Sequence, residues 1–196
     1  FLLNAILSGV RCLDGGSTAL AMATTGIAAN LLELGRTFHS RMKAPLTPSA
    51  ESTLQIPAQS SLAKLVRSSK LLMMDEATML DRYLLEALHR TLQDIMGNER
   101  PFGGKIIILA GDFRQCLPVV QGATRGGTVS HCINKSPLWS FFVVKQLSVN
   151  MRVMAQGDQN LQDFDDWLLS IGNGNMEELE IPDELVSCRI APNSSD

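Results

Sequence analysis

The chain has 196 residues, 45% of them hydrophobic and 19% charged, with a formal net charge of −3, which is enough for one substantial core and too little for two full domains. No run of about 18 apolar residues could span a bilayer, and no basic N-terminal region precedes a cleavable apolar stretch, so the chain reads as a soluble intracellular protein. The four cysteines, Cys12, Cys116, Cys132 and Cys188, include no Cys-x-x-Cys pair; they exclude a zinc ribbon or disulfide framework and read as reduced, mostly buried thiols, with His131 and Cys132 structural.

The net charge hides an uneven distribution. Residues 1 to 157 carry 16 Lys and Arg against 10 Asp and Glu, whereas residues 158 to 196 carry one against ten, a basic body followed by an acidic tail. Between positions 35 and 70, Arg36, Arg41, Lys43, Lys64, Arg67 and Lys70 are opposed only by Glu51. That stretch is a candidate phosphate-tracking surface, and charge alone equally allows an ordinary solvated basic face.

In chain order, Phe1 to Val10 is apolar nearly all round and reads as a buried helix already in progress. Thr18 to Ala23 suits a strand, Thr25-Gly26 a turn and Ile27 to Leu34 a helix. Residues 44 to 60, with Pro45, Pro48 and Pro57, form a loop. Leu62 to Arg67 is a short helix, and Leu71 to Met74 a buried strand ending abruptly in Asp75-Glu76. Leu80, Leu84, Leu85, Leu88, Leu92 and Ile95 recur at helical spacing, with Gly97 just past the end. Lys105 to Ala110 is a second buried strand, running into Gly111-Asp112-Phe113-Arg114-Gln115. Phe141 to Val149 is a further strand candidate and Leu161 to Ile171 a helix. Strands alternating with helices predict a parallel sheet covered on both faces, with ligands beyond the carboxyl ends of its strands. Asp75, Glu76, Asp112 and Gln115 all follow such strands.

An apolar strand ending in Asp-Glu has the form of a Walker B element, in which a rigid strand holds one carboxylate for magnesium and another to orient water. A strand closed by a helix-capping carboxylate has the same appearance. The sequence GDFRQ supplies an acid, a cation and an amide at a second strand end, and Arg114 and Gln115 can each donate hydrogen bonds to a terminal phosphate. A polar turn is the alternative.

Taken together, TTGIAA with GRTFHS (24 to 29 and 35 to 40), MMDEATML (73 to 80), GDFRQCLPVV (111 to 120) and LSVNMRV (147 to 153) resemble, in order and spacing, the Pif-type (petite integration frequency) DNA helicases of superfamily one, closest to the Helitron-helicase branch. The resemblance implies a RecA-like P-loop NTPase domain of α/β class, truncated at its N-terminus, over residues 1–157, with 158–196 an acidic helix and tail leading to a second motor domain. It also implies an ATP-dependent 5′-to-3′ DNA helicase acting in repair, recombination and telomere maintenance. In it Asp75 would hold Mg2+, Glu76 would activate water, Gln115 and Arg152 would contact the terminal phosphate of ATP, and Asp112 would organise its loop. Thr25, Gly26, Arg36, Thr37, Phe38 and His39 would face single-stranded DNA, an aromatic ring stacking on a base. The implied compartment is the nucleus, with the mitochondrion as alternative, and the default state a monomer without membrane contact.

The chain departs from the pattern in two respects that matter. The second motor domain, which in the family follows the acidic tail and supplies further ATP and DNA contacts, is missing. The phosphate-binding G-x-x-x-x-G-K-[ST] loop is absent, and Phe1-Leu2-Leu3 aligns with the helix that would follow it. The expectation is that this chain alone neither hydrolyses ATP efficiently nor unwinds DNA. The rival readings are an inactive transposon-derived remnant with weak DNA binding, and a P-loop enzyme that does not act on DNA. A serine hydrolase is remote, since no G-x-S-x-G elbow occurs.

Overall fold

The computed structural model describes residues 1–13, 18–154 and 159–175. It forms two compact units, Phe1–Val144 and Lys145–Asp196.

The first unit is built on four parallel strands, β1 (Thr18–Ala23), β2 (Arg36–Thr37), β3 (Ser69–Asp75) and β4 (Ile106–Leu109), in the order β2-β1-β3-β4. Alternation along the strands divides the core in two. Ala19, Ala21 and Ala23 of β1, with Leu71 and Met73 of β3, face Leu7 of α1 (Leu2–Cys12) and Ala28 and Ala29 of α2 (Gly26–Leu31). Leu20, Met22, Leu72 and Met74 face the opposite side, where Phe38 and Met42 of α3 (Phe38–Met42), Ala63 and Val66 of α4 (Ser61–Ser68) and the apolar stripe of α5 (Arg82–Met96) complete a larger cluster. The result is a three-layer α/β arrangement, one face lined by the alanines of β1 with Leu71 and Met73 of β3, the other by long side chains from both strands.

Local chemistry sets the element ends. The hydroxyls of Thr25, Thr37 and Ser60 accept from the backbone amides of Ala28, Ser40 and Ala63 at the starts of α2, α3 and α4. Asp81 does the same for α5 through the Tyr83 amide at 2.8 Å, and Gly97 closes that helix in the left-handed region at φ 64°. Leu85, Leu88 and Leu92 of α5 are at most 1% exposed, and burying each such side chain contributes about 1.5–3 kcal/mol.

Several expectations need correction. The first helix exists but lies on the surface: only Leu7 is fully buried, while Phe1 and Leu2 are exposed. Lys105 to Ala110 is a strand at the sheet's edge, with Ile106 63% exposed, not a buried one. Phe141 to Val149 is not a strand; Val143, Val144, Leu147 and Val149 are all exposed there, because a β-prone stretch becomes a strand only where a neighbouring backbone takes up its amides and carbonyls. Cys12 and Cys116 are exposed free thiols, and only Cys132 of the described cysteines is buried. Cys188 lies outside the described residues.

In the second unit, α8 (Gln159–Gly172) contains the expected helix, preceded by α7 (Met151–Met154), and α6 (Arg125–Ser130) belongs to the first unit.

Beyond α6, the first unit holds a contact absent from the sequence reading. His131 Nδ1 lies 2.6 Å from Asp81 Oδ2, the His131 carbonyl accepts from the Arg82 amide at 2.8 Å, and the His131 ring meets Tyr83 edge-on at 5.2 Å. This docks the segment after α6 onto the start of α5.

A second histidine is tied to protonation. His89 Nδ1 accepts from the Phe102 amide at 3.0 Å, which it can do only when that nitrogen is unprotonated. Burial, and then the charge of Arg90, push its pKa below the ordinary value. The folded state therefore binds this proton less readily than the unfolded chain, so the contribution is complete above about pH 6.5, the unfolded value, and is lost as pH falls below it through the lower folded pKa. The expected result is a thermal midpoint that declines on acidification below that pH, with a shallower decline in His89→Asn, whose Oδ1 accepts without titrating. Identical profiles for the two proteins would remove His89 from the account.

Candidate nucleotide and DNA site

The parallel register brings three strand ends to one edge. Ala23 lies opposite Asp75, and Met74 opposite Leu109, so the Thr24–Gly26 turn, the Asp75-Glu76 pair and the Gly111–Gln115 loop are neighbours at the carboxyl edge of the sheet. Backbone bonds tie them: the Ala110 amide donates to the Met74 carbonyl and the Ala77 amide to the Ala110 carbonyl, both at 2.8 Å. Gly111 has a steric reason to be glycine, since a Cβ there would come within 3.1 Å of the Thr78 amide nitrogen and 3.2 Å of that of Ala77. The close approach places Asp112 beside the turn that follows Glu76, with its carbonyl 3.4 Å from Thr78 Oγ1.

Asp75 is half-buried and its Oδ1 accepts from the Glu76 amide at 2.9 Å. Its other oxygen has no hydrogen-bond partner among the described residues, which leaves a hard anionic donor at the edge. Glu76 stands in the left-handed region at φ 51° and ψ 37°, a conformation that costs a non-glycine residue about 1–3 kcal/mol. Its peptide is held from both sides, with the carbonyl accepting from Thr24 Oγ1 at 2.9 Å and from the Met79 amide at 3.1 Å. The Glu76 carboxylate makes no hydrogen bond among the described residues. Strain of this kind, retained at a strand end beside a second carboxylate, is a mark of a functional position.

Asp112 organises its own loop. Its Oδ1 accepts from the Arg114 amide at 3.0 Å and from Arg114 Nε at 2.9 Å, and the Arg114 guanidinium holds the carboxyl below the usual range. That commits Arg114 to the loop; exposed Gln115, the amide at this strand end, also bonds the Asp112 carboxylate through its side chain, and its backbone nitrogen donates to the Asp112 carbonyl at 3.0 Å.

Of the residues expected to face DNA, Gly26 and Arg36 are exposed, Thr25, Thr37 and His39 are half-buried, and both threonine hydroxyls already accept helix-capping bonds. Burial lowers the pKa of His39. Phe38 requires correction: it is 0% exposed and belongs to the larger core cluster, so its ring anchors α3 and offers no face to a base. In the basic stretch, Arg67 donates to the carbonyls of Ile95 and Ala58 and Arg41 to that of Leu34, leaving Arg36, Lys43, Lys64 and Lys70 as its exposed cations whose side chains make no hydrogen bond among the described residues. Arg152 lies in α7, and its side chain is outside the described residues. Thr24, which the sequence reading passed over, is the residue that joins the turn to Glu76.

A parallel sheet with helices on both faces, and an acidic pair at the end of an inner strand, define a RecA-like domain. The chain belongs to the PIF1-like helicase family, whose model matches residues 1–181. It is similar to the ATP-dependent DNA helicase RRM3 of Saccharomyces cerevisiae, 30% identical over 83% of this chain and 22% of that protein. Among solved structures it is similar to the Pif1 helicase of Candida albicans, with a TM-score of 0.66 and 26% identity over 95% of this chain and 39% of the other. It is also similar to Bacteroides Pif1 bound to ssDNA, with a TM-score of 0.53 and 28% identity over 61% of this chain and 28% of the other. The chain thus spans well under half the length of the proteins it matches.

Proposed function

We propose that Phe1–Val144 is part of the first motor domain of an ATP-dependent DNA helicase that couples hydrolysis to movement along single-stranded DNA. The observation that carries this is the register that gathers Thr24–Gly26, Asp75-Glu76 and Gly111–Gln115 at one sheet edge. It is supported by the RRM3 relative, an ATP-dependent DNA helicase, and by the single strand bound to the Bacteroides protein.

In this reading Asp75 holds the Mg2+ that accompanies ATP. The fit is chemical: its carboxylate is a hard oxygen donor with one oxygen free. No cluster of three His, Cys, Asp or Glu side chains is present among the described residues to cage a metal, and Mg2+ is commonly held by one or two carboxylates with phosphate and water oxygens completing its shell. Glu76 orients the attacking water, and Gln115 and Arg152 donate to the terminal phosphate while Asp112 fixes the loop. Thr25, Gly26, Arg36, Thr37 and His39 line the path of the strand. A 5′-to-3′ direction, roles in repair, recombination and telomere maintenance, a nuclear or mitochondrial location and a monomeric state follow from family resemblance. Among the described residues, no helix is long and apolar enough to cross a membrane.

The test is hydrolysis by the full-length protein with and without single-stranded DNA, beside the present chain alone. Stimulation by DNA in the former, and salt-sensitive DNA binding with negligible hydrolysis in the latter, is the expected pattern. A full-length protein that binds DNA yet hydrolyses nothing would replace the motor with an inactive remnant. Hydrolysis indifferent to DNA would point to a P-loop enzyme of another kind.

A further inference from the structure

We propose that Thr24 is a positioning residue that couples the DNA-facing turn to the carboxylate of Glu76, an inference that rests on the helicase reading above. Two bonds span the 52 positions between these residues in sequence. Thr24 Oγ1 donates to the Glu76 carbonyl at 2.9 Å, and the Thr24 amide donates to the Asp75 carbonyl at 3.3 Å.

The residue at the receiving end makes this bond consequential. Glu76 sits at φ 51°, a conformation that persists only when neighbours over-determine it. Three of its restraints are internal to the strand ends that carry the carboxylates: Asp75 Oδ1 on the Glu76 amide, the Met79 amide on the Glu76 carbonyl, and the Ala77 amide on the Ala110 carbonyl. The others come from Thr24, in the element that carries Thr25 and Gly26: its amide on the Asp75 carbonyl and its hydroxyl on the Glu76 carbonyl, of which only the hydroxyl depends on the side chain. Thr25 caps α2 through its hydroxyl. Any shift of α2's start on meeting a DNA strand therefore moves the backbone that presents the Thr24 hydroxyl. The Glu76 carbonyl then loses or gains its bond, and the peptide plane that aims the Glu76 side chain turns with it.

Because the Met79 amide still serves the same carbonyl, removing the hydroxyl leaves no orphaned acceptor, so the fold is expected to survive. The experiment compares wild-type full-length protein with Thr24→Val, Thr24→Ala and Thr24→Ser, measuring kcat and KM for ATP with and without single-stranded DNA, the DNA dissociation constant and the thermal midpoint. Thr24→Val and Thr24→Ala are expected to lose most of the DNA-dependent rise in kcat, roughly tenfold, the scale of about 1.4 kcal/mol. KM, DNA affinity and hydrolysis without DNA should stay within about twofold, a change worth under 0.5 kcal/mol, and Thr24→Ser should restore coupling. DNA stimulation that survives in both hydroxyl-free variants overturns the proposal, as does a parallel loss of DNA affinity. A wild-type protein that DNA does not stimulate overturns both this inference and the helicase reading, whereas stimulated wild type with unaltered variants overturns only this one.

Discussion

Glu76→Gln in the full-length protein is expected to bind single-stranded DNA as the wild type does and to lose at least about 100-fold in DNA-stimulated kcat, the lower range of what a positioned acid–base group contributes. The carboxylate is half-buried, makes no hydrogen bond among the described residues and sits beside Asp75 at the sheet edge. The amide therefore replaces it without disturbing the fold. Glutamine keeps the length and shape and can still contact water, but it cannot take a proton or hold a negative charge against it. A loss smaller than about tenfold would place the water-orienting group elsewhere and leave Glu76 as a turn residue.

Phe38→Ala is expected to cost about 3–5 kcal/mol of stability, since a fully buried ring leaves a cavity that α3 cannot collapse. For a domain whose whole stability is about 5–15 kcal/mol, that is a large share. Phe38 is 0% exposed and packs in the cluster that includes Met42, Leu72 and Leu85. Urea unfolding of the first unit measures the loss, and DNA titration of the milder Phe38→Leu separates the two roles. A base-stacking ring would give weaker DNA binding with unchanged stability; a core ring gives the reverse. An unfolding free energy for Phe38→Ala within about 1 kcal/mol of wild type would return Phe38 to the surface.

That residue shows where sequence reasoning stopped. Phe38 lies among Arg36, Thr37, His39 and Ser40, and a polar neighbourhood with a family motif around it pointed to an exposed ring. The contrary signal was present: Phe38 and Met42 are four apart, the spacing that puts two side chains on one face of a helix, and α3 is the single turn that results. By contrast, α5 was legible in full, because its apolar stripe, its Asp81 cap and Gly97 all agree. The Asp75-Glu76 strand end was legible for the same reason, an apolar run meeting two carboxylates.

The misses are non-local. The apolar, β-branched residues of Phe141 to Val149 suit a sheet but do not supply the neighbour that makes one. Nothing in KIIILA announces that β4 would stand at an edge, half-covered. Two adjacent threonines, Thr24 and Thr25, cannot be told apart by type, yet one bridges to a residue 52 positions away and the other caps a helix. Their division of labour is fixed only by the register of β1 on β3.

The alanine contact between β1 and α2 has a mechanical consequence. Where Ala19, Ala21 and Ala23 meet Ala28 and Ala29, in a cluster completed by Leu7, Leu32, Leu71 and Met73, the spacer between that strand and that helix is a methyl group thick, with fewer long side chains than the opposite face has to change rotamer and absorb a displacement. A helix on long, adjustable side chains can tilt by repacking them; one seated on methyl groups slides or lifts as a rigid piece. Force applied at the first turn of α2 therefore has few soft degrees of freedom in which to dissipate, and is delivered to the ends of the strands below it.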